Sequence, residues 1–186
     1  MTRMTLPNWL TLARIALIPV LMVLVYLPVA WANEAAALVF AAGAITDWLD
    51  GYLARRLELV SPFGRFLDPV ADKLMVAAAL IVLVHQHPRV YMVVPAIAII
   101  GREITISSLR EWMAQIGETA RVAVSTIGKI KTSVQMVAIL LLLYHDSVLG
   151  FPTYWAGVVL IYVATALTLW SMIVYLRAAW PQLGRA

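Results

Sequence analysis

Four aspartates stand at fixed spacing in an otherwise apolar stretch: Asp47 and Asp50, then Asp68 and Asp72. The stretch reads Asp47-x-x-Asp50-Gly51-x-x-Ala54-Arg55, eight further residues, then Gly64-x-x-x-Asp68-x-x-x-Asp72. A carboxylate at membrane depth costs roughly 2.5–3.5 kcal/mol on insertion scales, so four together require a compensating charge. Divalent cations supply one, and hard ions such as magnesium prefer carboxylate oxygens. The residue types and their spacing therefore predict a metal site.

Helices are the elements that must position such a site. At 100° per residue, Asp47, Asp50, Gly51, Ala54 and Arg55 share an arc of about 140° on one helix. Gly64, Asp68 and Asp72 recur every fourth residue and form a stripe on the next. Two facing helices then bring four carboxylates to one point, as metal sites in helical bundles do. Gly51, Ala54 and Gly64 leave room for a ligand or for close helix contact. Arg55 offers a forked donor to a phosphate. Lys73 points about 100° away from Asp72 and reads as a structural counter-charge or an interfacial residue. One such aspartate would more simply be solvated or paired with Arg55, Arg56 or Arg65. Four of them, with glycines at these offsets, point to function.

Composition sets the frame. Of 186 residues, 63% are hydrophobic and 13% charged, about half the charge of a soluble domain. The chain is expected to be an all-α integral membrane protein, since open sheet edges do not survive in lipid. Six apolar stretches, near 8–29, 35–57, 62–85, 90–115, 124–145 and 152–177, approach the roughly 20 residues a span needs. Ser61-Pro62 reads as a helix start, with proline at the first helical position. No linker or repeat divides residues 1–186, which read as a single membrane domain. Nearly all Lys and Arg fall on one side of this topology, and only Arg89 and the three histidines on the other. The positive-inside rule then puts both termini and the aspartates on the cytoplasmic side.

The same rule accounts for the net charge of +4, so no nucleic-acid partner is expected. The absence of cysteine excludes disulfides, thiolate metal sites and a cysteine nucleophile. Trp9, Trp31, Trp112, Trp155 and Trp180 fall near span ends, as membrane-interface anchors do. His85, His87 and His145 read as solvated loop residues.

The aspartate pattern resembles the signature of the CDP-alcohol phosphotransferases, a family of six-helix membrane enzymes, at all eight of its positions. The resemblance implies transfer of a substituted phosphate from a CDP-linked donor to an alcohol, with release of CMP. It implies that Asp47, Asp50, Asp68 and Asp72 hold magnesium or manganese, two ions in all, with Asp72 also the general base on the acceptor hydroxyl. Gly51, Ala54, Arg55 and Gly64, joined by Asn8 and Thr11 from the first helix, would border the CDP-diacylglycerol donor.

Similarity outside the signature extends over nearly the whole chain. It includes Pro7-Asn8-Trp9-Leu10-Thr11-Leu12-Ala13-Arg14, Asp68-Pro69-Val70-Ala71-Asp72-Lys73, Arg102-Glu103-Ile104 and Gly128-Lys129-Ile130-Lys131. These segments are similar to the bacterial branch whose acceptor is sn-glycerol 3-phosphate. That branch implies an inner-membrane enzyme, forming homodimers, with its site facing the cytoplasm. An anionic acceptor suits the basic residues Arg14, Arg102, Arg110, Arg121, Lys129 and Lys131, with Arg110, Lys129 and Lys131 favoured as phosphate ligands. Within the family, the rival is a CDP-alcohol-type cardiolipin synthase, with phosphatidylglycerol as acceptor. From another class, a divalent-cation carrier would explain the aspartates but not Gly51, Ala54, Arg55 and Gly64.

Overall fold

The computed structural model of the chain describes residues 6–56, 62–115, 126–148 and 150–183. Among them the chain forms six α-helices and no strand: α1 (Leu6–Tyr26), α2 (Ala32–Arg56), α3 (Pro62–Gln86), α4 (Val90–Gln115), α5 (Thr126–Tyr144) and α6 (Thr153–Leu183). Pro62 opens α3 as expected; its proposed cap, Ser61, lies outside the described residues. The largest difference from the sequence reading is at α6, which runs on to Leu183 rather than ending near Arg177. Past Arg177 the buried Ala179 keeps the helix packed, and two consecutive alanines favour its continuation.

Three helical segments are long and apolar enough to cross a membrane: Pro7–Tyr26, Val90–Gln115 and Thr153–Arg177. Ile130–Tyr144 is a shorter apolar helix. Large apolar side chains point outward on every helix: Val23, Leu38, Ile81, Ile97, Val137 and Val159 are all exposed. Outward apolar surface on this scale needs a covering, and for a membrane protein lipid provides it. Pro19, Pro69 and Pro95 lie inside helices, which membrane bundles tolerate because neighbours satisfy the freed carbonyls.

The interior is built from alternating large and small side chains. Phe40, Leu80, Leu83, Ile99, Leu142 and Ile161 pack against Ala36, Ala37, Ala79 and Ala138. Small residues let helices approach closely where no aqueous hydrophobic effect drives them together. The helices α5 and α6 approach closely: a Cβ on Gly157 would lie 2.8 Å from Leu142 Cγ and 3.1 Å from its backbone nitrogen.

The helices alternate in direction, so their polar halves gather at one end of the bundle. The N-terminal half of α1 meets the C-terminal half of α2 and the start of α3. The C-terminal half of α4 meets the start of α5 and the C-terminal half of α6. The opposite end is aromatic. There the imidazoles of His87 and His145 stack, centroids 5.2 Å apart and planes 5° from parallel. Tyr154 contacts both rings, and its hydroxyl lies 2.9 Å from that of Tyr91. His85 meets Tyr26. His85 is exposed and the His145 side chain is 41% exposed, as expected of solvated residues, whereas His87 is half-buried between these rings. The turn at this end needs left-handed backbone at His145 (φ 64°) and Gly150 (φ 82°). Thr153 closes it by donating from Oγ1 to the Asp146 carbonyl.

Candidate active site

Arg14 is the centre of the carboxylate cluster. It lies two turns into α1, its side chain is 1% exposed, and it reaches two aspartates on α2. Nη1 donates to Asp47 Oδ1 at 2.7 Å, and Nη2 donates to Asp50 Oδ2. Asp50 is buried, whereas the side chain of Asp47 is 44% exposed, so one partner is sealed and the other open. One turn earlier on the same face of α1, Thr11 Oγ1 donates to Asp68 Oδ1 at 2.6 Å. It also lies 3.5 Å from Asp50 Oδ2 and 3.1 Å from the Pro7 carbonyl. Three aspartates from two helices are thus tied together by two side chains of a third.

Asp72 lies one turn beyond Asp68, half-buried, under the charges of Asp47, Arg14, Glu103 and Lys73. Lys73 donates to Ser107 Oγ on α4. Gly51 is half-buried and Gly64 buried. Asn8 is buried on α1. The side chains of Ala54 and Arg55 lie outside what is described.

A second polar cluster adjoins this one, built by α4, α5 and α6. Arg102 is buried and donates from Nη1 to Glu103 Oε1 at 2.8 Å and from Nη2 to Ser171 Oγ at 3.2 Å. Lys131, also buried, donates to the same Glu103 oxygen at 2.9 Å. Arg110 donates to the Tyr175 hydroxyl at 3.0 Å. The Tyr175 ring faces both guanidinium groups, 5.9 Å from Arg102 and 5.2 Å from Arg110. Three of the basic residues read from the sequence therefore come together. Arg14 sits instead with the carboxylates, where a guanidinium offsets their repulsion. Arg121 and the side chain of Lys129 lie outside the described residues.

Glu103, Ser171 and Tyr175 carried no assigned role in the sequence reading. Glu103 had a visible signal, since an acid beside Arg102 in an apolar segment is costly without a purpose. Tyr175 had none, because it is one tyrosine among seven and its arginine partners lie 65 and more residues away.

The carboxylate donors are all oxygen, the set that hard divalent ions take. The guanidinium between Asp47 and Asp50 shows that the space they enclose accepts positive charge. Among the described residues no three acidic or histidine side chains close around one point. Arg14 takes one oxygen of each aspartate, Asp47 Oδ1 and Asp50 Oδ2.

Residues 4–170 match the sequence profile of the CDP-alcohol phosphatidyltransferases. The chain is 52% identical over 183 residues to a CDP-diacylglycerol–glycerol-3-phosphate 3-phosphatidyltransferase of Pseudomonas fluorescens, covering 97% of this chain and 92% of that protein. Proteins of the same name from Salmonella choleraesuis (strain SC-B67) and Escherichia coli (strain K12) are 51% and 50% identical over 177 residues, 94% of each chain.

Proposed function

The chain belongs to the CDP-alcohol phosphatidyltransferase family, and from that premise we propose that it transfers the phosphatidyl group of CDP-diacylglycerol to sn-glycerol 3-phosphate. The products are phosphatidylglycerol phosphate and CMP. The observation that carries the reading is the adjacency of two clusters: three aspartates gathered by Arg14 and Thr11, and a basic group around Arg102, Lys131 and Arg110. One suits a metal-neutralised pyrophosphate and the other an anionic acceptor.

Asp47, Asp50, Asp68 and Asp72 would hold the divalent ions, magnesium or manganese. Such ions neutralise the pyrophosphate and stabilise entering and leaving oxygens in an in-line displacement. Arg14 acts as the counter-charge that keeps Asp47 and Asp50 together, and leaves the acceptor set. Thr11 orients Asp68. Gly51 and Gly64 give the donor's backbone room, and Asn8, Ala54 and Arg55 border its nucleotide. Arg102, Arg110 and Lys131, with Lys129 and Arg121, bind the acceptor phosphate through charge-assisted hydrogen bonds. Asp72 takes the proton of the acceptor's C1 hydroxyl as that oxygen attacks the phosphorus bearing diacylglycerol. The bond from that phosphorus to the CMP oxygen breaks, and CMP departs with the electron pair.

All six helices span the bilayer in this reading, with the clustered end in the cytoplasm of a bacterial inner membrane. The apolar surface that α2 and α3 expose at Leu38, Ile45, Phe66 and Ile81 supports their contact with lipid. The membrane domain comprises residues 1–186 and works as a homodimer.

The test is CMP release by detergent-purified protein given CDP-diacylglycerol, magnesium and glycerol 3-phosphate, with the lipid product identified by mass spectrometry. Phosphatidylglycerol phosphate that disappears with EDTA supports the reading. Cardiolipin formed only when phosphatidylglycerol is offered would change the acceptor. Cation flux without CMP release would replace the enzyme with a carrier.

A further inference from the structure

Glu103 is an acid set into the basic cluster. Its Oε1 accepts from both Arg102 Nη1 and Lys131 Nζ, at 2.8 and 2.9 Å. The two cationic side chains are 9% and 6% exposed, whereas Glu103 is 24% exposed. The carboxylate is therefore the most exposed member of the three. Its charge also bears on Asp72, the proposed base. Arg102 keeps its second hold through Ser171, and Tyr175 faces its guanidinium, so the arginine is fixed in place without Glu103.

Two buried cations cannot be left bare, because an uncompensated buried charge is strongly unfavourable. The hydrogen bonds that Glu103 accepts are those a phosphate oxygen would accept, and a phosphate monoester offers more charge and more oxygens. We infer that Glu103 is an internal stand-in for the acceptor's phosphate: it neutralises Arg102 and Lys131 in the empty site and yields them to the incoming dianion. This rests on the reading above that the acceptor is a phosphate-bearing alcohol. The residue determines affinity by competition. Every acceptor pays the cost of displacing it, and neutral alcohols, unable to displace it, are turned away.

The experiment compares wild type with Glu103→Gln, which keeps shape and removes charge. The acceptor KM should fall about tenfold, a modest share of what one charge-assisted contact supplies, with the donor KM unmoved. Inorganic phosphate should inhibit the variant more strongly, with Ki falling by a similar factor. In thermal unfolding the variant should start below wild type and gain more from added inorganic phosphate. A variant that is merely less stable, with acceptor KM and phosphate response unchanged, overturns the inference. A raised acceptor KM also overturns it, since Glu103 would then hold the cations in place for the substrate. Should Glu103→Gln fail to fold, Glu103→Asp withdraws the carboxylate by one methylene and should show a smaller fall in KM; no fall in folded protein counts against the stand-in. If wild type releases no CMP with glycerol 3-phosphate, the acceptor reading fails, while the phosphate-dependent unfolding comparison still tests the anion exchange.

Discussion

Thr11 Oγ1 on α1 donates to Asp68 Oδ1 on α3 at 2.6 Å, the shortest of its three contacts. Through this bond a helix without any acidic residue orients a carboxylate that belongs to another. Neighbours that orient a metal ligand commonly govern affinity by tenfold or more. Thr11→Val preserves shape and removes the hydroxyl. It should raise the magnesium concentration needed for half-maximal CMP release about tenfold, with the acceptor KM little changed. An unchanged magnesium requirement would separate Thr11 from the metal site.

Asp72→Asn removes the proposed base while keeping size and hydrogen bonding. Turnover should fall by at least about 100-fold, the lower range for general-base catalysis, with the unfolding temperature close to wild type. Normal turnover in that variant would end the base assignment.

Arg14→Gln leaves the sealed Asp50 without its cation. Breaking a buried pair by removing one partner costs about 3–5 kcal/mol, so the variant should unfold at clearly lower temperature. Added magnesium should recover more stability in the variant than in wild type, because an ion then supplies the missing charge. Equal magnesium responses in thermal scans would show that guanidinium and ion do not share the space.

The glycine contacts predict a contrast. Gly157→Ala drives a methyl into Leu142, including its backbone nitrogen at 3.1 Å, and overpacking of this kind costs about 1–3 kcal/mol. Gly43→Ala meets the terminal methyl of Met75 at 2.8 Å, a flexible end that can swing aside. The first variant should lose stability in thermal unfolding and the second should stay near wild type.

The aromatic end predicts a pH response. His87 lies beyond α3, and burial, then the charge of His145, lowers its pKa from 6.5. The unfolded chain therefore binds this proton more readily, and stability rises with pH across the interval between the lowered value and 6.5. That contribution is complete above 6.5 and is lost as pH falls through the lowered value. His87→Asn should flatten the acid side of the unfolding-temperature profile; an identical slope would remove His87 as its source.

Helix positions were legible because apolar runs and turn residues alternate with little ambiguity, and Pro62 opens α3 where its fixed φ suggests. The facing of Asp50 and Asp68 was legible because helical periodicity is rigid over two turns. Arg14 was legible as important, but its pairing with Asp47 and Asp50 was not. Basic residues sort by net charge in a sequence reading, whereas Arg14 is positioned by the direction of α1 against α2. Glu103 and Tyr175 act across α4, α5 and α6, and no periodicity within one helix encodes that relationship. The stacking of His87 on His145 likewise depends on two loops meeting at the far end.

The burial of Arg14 has a consequence for how the protein is made. A nascent first helix entering the translocon carries a guanidinium whose deeper partner, Asp50, lies 36 residues further along the chain. At 5–20 residues per second, the ribosome takes about two to seven seconds to deliver it. In the proposed six-span arrangement, α1 would wait at the lateral gate during that interval or keep Arg14 at the water boundary. Its release into lipid would then be a paired event, in which the second helix arrives with the charge that lets the first one leave.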